Sequence, residues 1–328
     1  MKPAISSSLV LTACLMASAG PALADTVIRI GHATPESSPI HQSLLHFQES
    51  VEEASEGDIE VKLYPGGQIG SVNEMTELVQ SGNLQMTMGA SVLLTSAVPE
   101  LSVLDHFYLF DDVAHARRVL DGEGGDMLSK AMADKGLQSI GFFERGFRHF
   151  STSTEPLDSF ESFQGLRMRS ASNPAQIEAW RAVGAAPMPL DWGEIYTSLQ
   201  QGLIDGQESA LSSIYIERFF EAQDYVSLTG HIYTTEIWYA NRSFWEELDD
   251  ESRAIINAAA EETVALQREL TQQQNRDTVA LLEEEGLEFN EVDAEVKSAL
   301  GEALNGAVDE AIIERVGNEF YTEFMSHI

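Results

Sequence analysis

The chain has 328 residues, 53 Asp and Glu against 19 Lys and Arg, a formal net charge of −34 and a single cysteine. At roughly 100–200 residues per domain this is chain enough for two lobes, each able to bury its own core. The 43% apolar content excludes a disordered chain, and a surface this acidic repels nucleic acid and anionic lipid, which sets polyanion binding aside.

Lys2 precedes an apolar stretch around Leu9–Ala19, and the small-residue triplet Ala22-Leu23-Ala24 follows it. That is the pattern of an export signal over residues 1–24, with Asp25 opening the mature, exported chain. A competing reading makes Leu11-Thr12-Ala13-Cys14 a lipid-attachment site, although the apolar run before Cys14 is short and broken by Ser6-Ser7-Ser8. With Cys14 removed, disulfides, thiolate nucleophiles and Cys-ligated metals are excluded together. Beyond the signal no apolar run reaches the roughly 18 residues of a membrane span.

Val27–Ile30 reads as a strand, followed by a loop to Pro39 and a helix through about Ala54. Ile59–Leu63 is the next strand, Pro65-Gly66-Gly67 turns the chain, and Ser71 caps a helix on which Met75, Leu78 and Val79 share a face before Gly82. Met86–Met88 is a third strand. This β-α-β-α-β order predicts a mainly parallel sheet with ligand sites at the carboxyl ends of its strands. Helices near Asp112–Leu120 and Asp126–Lys135 lead to a strand at Ser139–Phe143, and from about Arg148 the pattern starts again.

In this second part Leu166–Arg169 is a strand. Asn173 and Pro174 then supply a cap and a first helical residue for a helix to Val183, stopped by Gly184. Ala185–Leu190 is extended, Asp191 caps a helix through Leu199, and a strand pair is expected at Tyr225–Leu228 and Ile232–Ala240. From Asp249 or Asp250 a helical stretch of about 35 residues runs to Glu285, longer than the usual 8–20, and is expected to be kinked or split. Leu287–Phe289 is a short strand, and residues 293–326 add one or two helices.

The usual catalytic signatures are missing: there is no Gly-x-Ser-x-Gly, no phosphate loop, no His-Glu-x-x-His and no Gly-x-Gly-x-x-Gly. Asp121-Gly122-Glu123-Gly124-Gly125-Asp126 reads as a solvated turn, because its carboxylates would repel phosphate and its spacing is not that of a calcium loop. His41 and His46, five apart, do not share a helical face, and no metal site or cofactor is expected. Acidic runs such as Glu283-Glu284-Glu285 read as solvated faces. In so acidic a chain the informative residue is an arginine in apolar context. Arg169 ends a core strand after Leu166 and Met168, at the sheet edge where ligands bind, and its planar fork suits a carboxylate. Arg148 lies between Phe147 and His149-Phe150, where a structural ion pair is the plainer reading.

The segment Gly165-Leu166-Arg167-Met168-Arg169, Asn173-Pro174, Val183-Gly184-Ala185 with Pro187 and Pro189, Gly193-Glu194-Ile195-Tyr196-Thr197-Ser198-Leu199-Gln200-Gln201-Gly202 and Asp205-Gly206-Gln207-Glu208 resembles the solute-binding proteins of tripartite ATP-independent periplasmic (TRAP) transporters. The likeness is to the C4-dicarboxylate-receptor, DctP-like type. Ile30-Gly31-His32, Tyr64-Pro65-Gly66-Gly67-Gln68-Ile69-Gly70 and Asn241-Arg242-Ser243-Phe244-Trp245 agree in order and spacing.

The resemblance implies an α/β, two-lobed binding protein that closes over its ligand, with a long helix spanning both lobes. Residues 25–147 would form mainly the N-terminal lobe, 148–240 mainly the C-terminal lobe, and 241–328 the spanning helix and C-terminal helices. It implies a monomeric receptor without catalysis that binds a small organic acid, a dicarboxylate or a hydroxylated or sugar acid, and delivers it to the small and large membrane subunits. The ligand carboxylate would pair with Arg169, a second anionic group with Arg148, and Trp192 would cover an apolar face. Ser209 stands where the family's Asp-Gly-x-Glu-Asn-Pro pattern has asparagine, and Ala210 where it has proline. His231, Ser91 and Asn73 also match positions near the cleft. The alternatives are a sensory ligand-binding protein serving a membrane kinase, or a secreted enzyme using Asp191, Glu208 or His231 as acid or base.

Overall fold

The computed structural model describes residues 26–328, and the expected export signal with Cys14 lies outside them. Strand β1 (Thr26–Gly31) leads to α1 (Pro39–Ala54), whose start is set by Ser38 accepting from the His41 amide and by Pro39 in the first turn. Ile40, Leu44, Phe47 and Val51 recur at helical spacing and form its buried face. β2 (Ile59–Tyr64) follows. A reciprocal Ser71–Glu74 capping box then starts α2 (Val72–Gln80), and β3 (Met86–Ala90) runs straight into α3 (Ser91–Leu94). β2 and β3 flank β1 in parallel, as the alternating pattern requires.

A 3₁₀ turn at Pro99–Asp105 precedes α4 (Val113–Leu120) and α5 (Glu123–Asp134). The expected solvated turn at residues 121–126 is instead the tight junction of these two helices, with Gly124 and Gly125 buried inside α5. A Cβ on Gly125 would sit 1.8 Å from the Leu120 carbonyl oxygen, so the glycines are there for close approach.

β4 (Leu137–Thr152) has 16 residues, far more than the five expected. Then come β5 (Arg167–Ser170), α6 (Pro174–Ala182) capped by Asn173, β6 (Ala186–Pro189), α7 (Ile195–Gln200), β7 (Gly206–Ala210), α8 (Leu211–Ile216), β8 (Tyr225–Leu228) and β9 (Tyr233–Asn241). The strand order is β2-β1-β3-β9-β4-β7-β5-β6. The sheet is mixed, because β4 carries the chain out of the first lobe and β9 brings it back. β9 therefore runs antiparallel to both β3 and β4. β8 and β9 do not pair with each other as expected. The second half of β4 lies between β7 and β8, while its first half pairs with β9.

After α9 (Arg242–Glu247), α10 (Asp250–Glu284) is one continuous helix of 35 residues capped by Asp249, not split into two. Its buried stripe changes character along its length. Ile256, Ala259 and Ala260 join the core of the first lobe, with Phe47, Phe143 and Trp238. Leu282 joins that of the second, with Ile195, Ile214 and Val226. Between them the stripe turns polar at Thr263, Gln267 and Thr271, because α10 there crosses a bulge in β4. The side-chain amide of Gln267 accepts from the Glu144 N–H at 3.0 Å and donates to its C=O at 2.7 Å, standing in for the missing strand partner. β10 (Glu288–Glu291), α11 (Ala294–Val316) and α12 (Asn318–Met325) complete the chain, with Leu300, Leu304, Val308 and Ile312 of α11 in a core shared with Phe107 and Trp180.

Gly125→Ala is expected to lose about 1–3 kcal/mol to overpacking. Gly306→Ala, in α11 with nothing within 4 Å of the new methyl, should gain about 0.5–1 kcal/mol from helix propensity. Urea unfolding of the two variants checks the contrast, and equal midpoints would refute the packing account of Gly125.

Candidate binding cleft

The two lobes enclose a cavity of about 550 Å³ at the carboxyl ends of β3, β5 and β7. That is where open α/β sheets present their loops. Arg169 ends β5 and is 7% exposed. Its Nε donates to the Leu190 carbonyl at 3.1 Å, and its guanidinium carbon stands 5.6 Å from the centroid of the Trp192 ring. Among the described residues no carboxylate lies within 4.0 Å of it. Burial pulls its pKa down to about 10, against the opposing influence of Glu208 and with that of Arg148, so it stays a cation at neutral pH.

Arg148 also lines the cavity but is already paired. Its Nε and Nη2 grip the two carboxylate oxygens of Glu208, Nη2 donates to the Glu208 backbone carbonyl at 2.6 Å, and Nη1 reaches Thr234 Oγ1 at 3.3 Å. The expected second anion hook is therefore held by the protein's own acid. Burial alone would push the Glu208 carboxyl up, but the Arg148 charge and the His231 hydrogen bond overcome it and hold the pKa at about 2. Such a group carries no proton to donate at neutral pH.

Two expected ligand contacts do not reach the cavity. Ser209 is 1% exposed and faces the other side of β7, because strand alternation sends Glu208 and Ala210 inward and Gln207 and Ser209 outward. His231 is 1% exposed and sits behind Glu208, with Nε2 at 3.1 Å from Oε2 and aromatic contacts to Phe107, Phe150 and Trp180. Burial lowers its pKa and leaves the ring neutral. Glu208 is ionised and can only accept, so the proton is on Nε2 and Nδ1 accepts from Thr229 Oγ1 at 2.8 Å.

Trp192, Ser91 and Asn73 lie on the cavity wall. Trp192 is 37% exposed, with Nε1 donating to Glu217 at 3.0 Å, which fixes the ring plane. Ser91 opens α3 and Asn73 lies in the first turn of α2, each delivered by a strand-to-helix turn at the sheet edge.

Other wall residues escaped the sequence reading. Arg145 donates to Glu236 at 2.8 Å, and both belong to the strands that cross between the lobes. Gln267, Thr271 and Gln274 come from α10, and Arg315 from α11. Asp105 is 5% exposed and accepts from Asn173 Nδ2 at 3.2 Å; burial pushes its pKa up to about 7, against the pull of Asn173 and Arg315. Its available signal was an acid inside the apolar run Leu101–Phe107. Among the described residues, four arginines and six acids line the cavity, with no lysine. No group of three or more His, Cys, Asp or Glu among the described residues is arranged to hold a metal ion.

Residues 30–315 match the family described as bacterial extracellular solute-binding protein, family 7. The chain is similar to the C4-dicarboxylate-binding periplasmic protein DctP of Rhodobacter capsulatus, with 30% identity over 311 residues, 94% of this chain and 93% of that one. It is also similar to the crystal structure of a TRAP periplasmic solute binding protein from Ochrobactrum anthropi, whose C-terminus is bound in its ligand-binding pocket. The TM-score is 0.87 at 31% identity, covering 92% of this chain and 94% of that one. A third likeness is to a TRAP periplasmic solute binding protein from Sulfitobacter sp. NAS-14.1 with bound β-D-galacturonate, at a TM-score of 0.85 and 27% identity, covering 92% and 98%.

The folded Asp105 carboxyl, with a pKa of about 7 against an ordinary 3.8, holds a proton that the unfolded chain releases between those values. Its stabilising contribution is fully present below about pH 4 and is lost as the pH rises through 7. Asp105→Asn keeps the acceptor for Asn173 and cannot ionise. The melting temperature of this variant relative to the unaltered chain should rise steadily from pH 4 to pH 8, whereas a constant difference across that range would refute the burial account.

Proposed function

We propose a carboxylate-receptor function from one premise: the chain belongs to the bacterial extracellular solute-binding proteins of family 7. It is a TRAP solute-binding protein with the two-lobed fold of that group. On the proposed reading it works in the periplasm as a monomer without catalysis. It captures a small organic acid between its lobes and hands it to the membrane subunits of the transporter. Residues 25–147 and 148–240 supply the two main lobes, and 241–328 brace both.

The observation that carries this reading is the buried guanidinium of Arg169, which faces the cleft with no carboxylate of the described residues within 4.0 Å. A ligand carboxylate supplies the missing partner. A charge-assisted hydrogen bond of this kind contributes about 1.5–3 kcal/mol net. Trp192 backs the guanidinium and covers the ligand's apolar face. Groups on the opposite lobe reach the same ligand only when the lobes approach, so binding favours closure.

A thermal-shift panel of organic acids identifies the ligand, since saturation stabilises the fold by RT ln(1 + [L]/Kd). Arg169→Ala is expected to lose about 2–5 kcal/mol of binding, tens- to thousands-fold in affinity, and Arg169→Lys should also bind poorly because it lacks the fork. Substitutions in Glu283–Glu285 should leave affinity unchanged. Calorimetry that finds equal affinity for Arg169→Ala and the unaltered chain would overturn the assignment.

The net charge of −34 repels an anionic ligand over long range. Association is therefore expected to speed up with added salt before screening reaches the local pair. Stopped-flow rates that only fall with salt would contradict this.

A further inference from the structure

The geometry points to a second binding site, on the face of β4 turned away from the cleft, which takes a small monocarboxylate with an apolar tail. The site shares no lining residue with the cleft and stands independently of the receptor reading.

Strand alternation makes the two faces. In β4 Arg148 lines the cleft, while Phe147 and His149 on either side of it line a second cavity of about 550 Å³. α8 repeats the division, with Ser212 toward the cleft and Leu211 toward the second cavity. Leu228 of β8, Val279 of α10 and Phe110 complete an apolar wall with Phe147 and Leu211.

Three hydrogen-bond donors without a partner line the same cavity. Lys297 of α11 is half-buried. Lys62 and Lys135 each find an acid, at 3.0 and 4.0 Å, whereas Lys297 meets no carboxylate within 4.0 Å among the described residues. His149 is the second donor. Burial above all, then His231 and Lys297, lowers its pKa to about 3 and keeps the ring neutral. The Gly230 N–H donates to Nδ1 at 3.2 Å, so the proton is on Nε2, which has no partner among the described residues.

Tyr108 is the third. Its φ of 54° lies in the left-handed region that non-glycine residues seldom adopt, and its N–H donates to the His231 carbonyl at 2.8 Å, which holds it there. Its ring lies against α11 one turn from Lys297, where a Cβ on Gly301 would come within 3.0 Å of it. The Tyr108 hydroxyl is buried and has no partner among the described residues. Asp111 and Glu291 also line the cavity, but both are exposed, and Asp111 faces His115 at 3.5 Å. They leave Lys297 unneutralised and oppose a dianion such as phosphate. A carboxylate only accepts, so it can satisfy an ammonium, an imidazole N–H and a phenol together, with its tail on the apolar wall.

Phenylacetate is the probe, and equilibrium dialysis of the full mature chain reads it. In Arg169→Ala, which disables the carboxylate hook of the cleft, phenylacetate should still bind at millimolar concentration. The uncharged phenylacetamide should bind about tenfold more weakly or worse, and adding Lys297→Met should weaken phenylacetate by about tenfold or more. Tyr108→Phe removes one oxygen and should cost about two- to tenfold. Phenylacetate that fails to bind Arg169→Ala, or binds it as tightly after Lys297→Met, overturns the inference. Binding to the unaltered chain that Arg169→Ala abolishes puts the probe in the cleft, which also overturns the inference and supports the receptor reading. If Arg169→Ala does not fold, the number of phenylacetate molecules bound by the unaltered chain decides: Lys297→Met should lower it by one, and an unchanged number refutes the site.

Discussion

The arrangement of this molecule turns on a guanidinium kept out of water and denied a carboxylate. The chain carries 53 acids against 19 bases, so the default fate of any arginine is capture by a neighbouring acid. Two of the four cleft arginines meet that fate: Arg148 is gripped by Glu208, and Arg145 by Glu236. Arg169 escapes because the end of β5 presents it to a backbone carbonyl and an aromatic ring instead. An unpaired buried charge is costly, and a protein keeps one only where the structure around it is over-determined and something outside completes it.

That over-determination comes from the junction of the lobes. β4 and β9 pass through both lobes as continuous strands, and α10 spans them with one end in each core. The bulge in β4 at Glu144–Gly146 leaves backbone groups without strand partners. Gln267 and Asn275 of α10 satisfy them, while Arg117, Tyr233 and Gln272 saturate the Glu144 carboxylate itself. A polar helix stripe in this place is structural, since each amide replaces a hydrogen bond that the sheet gave up. Side chains on the cleft wall are thereby set on rigid elements that belong to both lobes.

Behind the wall lies a supporting layer. His231 is enclosed by Phe107, Phe150 and Trp180 and holds Glu208 in place without touching the cavity. Asn173 does two jobs, capping α6 with its oxygen and donating to Asp105 with its nitrogen. This ties the 3₁₀ turn of one lobe to the first helix after β5 in the other.

Much of the framework was legible in the sequence, because it is written in local chemistry. Ser71 with Glu74, Asn173 with Pro174, and Asp249 announce helix starts through hydrogen bonds made within a few residues. The alternation of strand and helix from Thr26 to Ala90 likewise implies the parallel pairing of β1 with β2 and β3. Arg169 stood out for the same reason, as a charge closing an apolar strand. What the sequence left open are properties of partners far apart in the chain. The length of β4 depends on β7 and β9, whose paired residues lie 54 to 104 positions further along the chain. The burial of Gly124 and Gly125 depends on how closely two helices meet. Whether Arg148 is free or neutralised depends on Glu208, and whether Ser209 or Glu208 faces the cleft depends on a strand register with a period of two. Short-range hydrogen bonding and periodicity thus determined the elements and the principal cation. Long-range pairing alone decided which charges cancel, and therefore that Arg169 is left for a ligand while Arg148 is not.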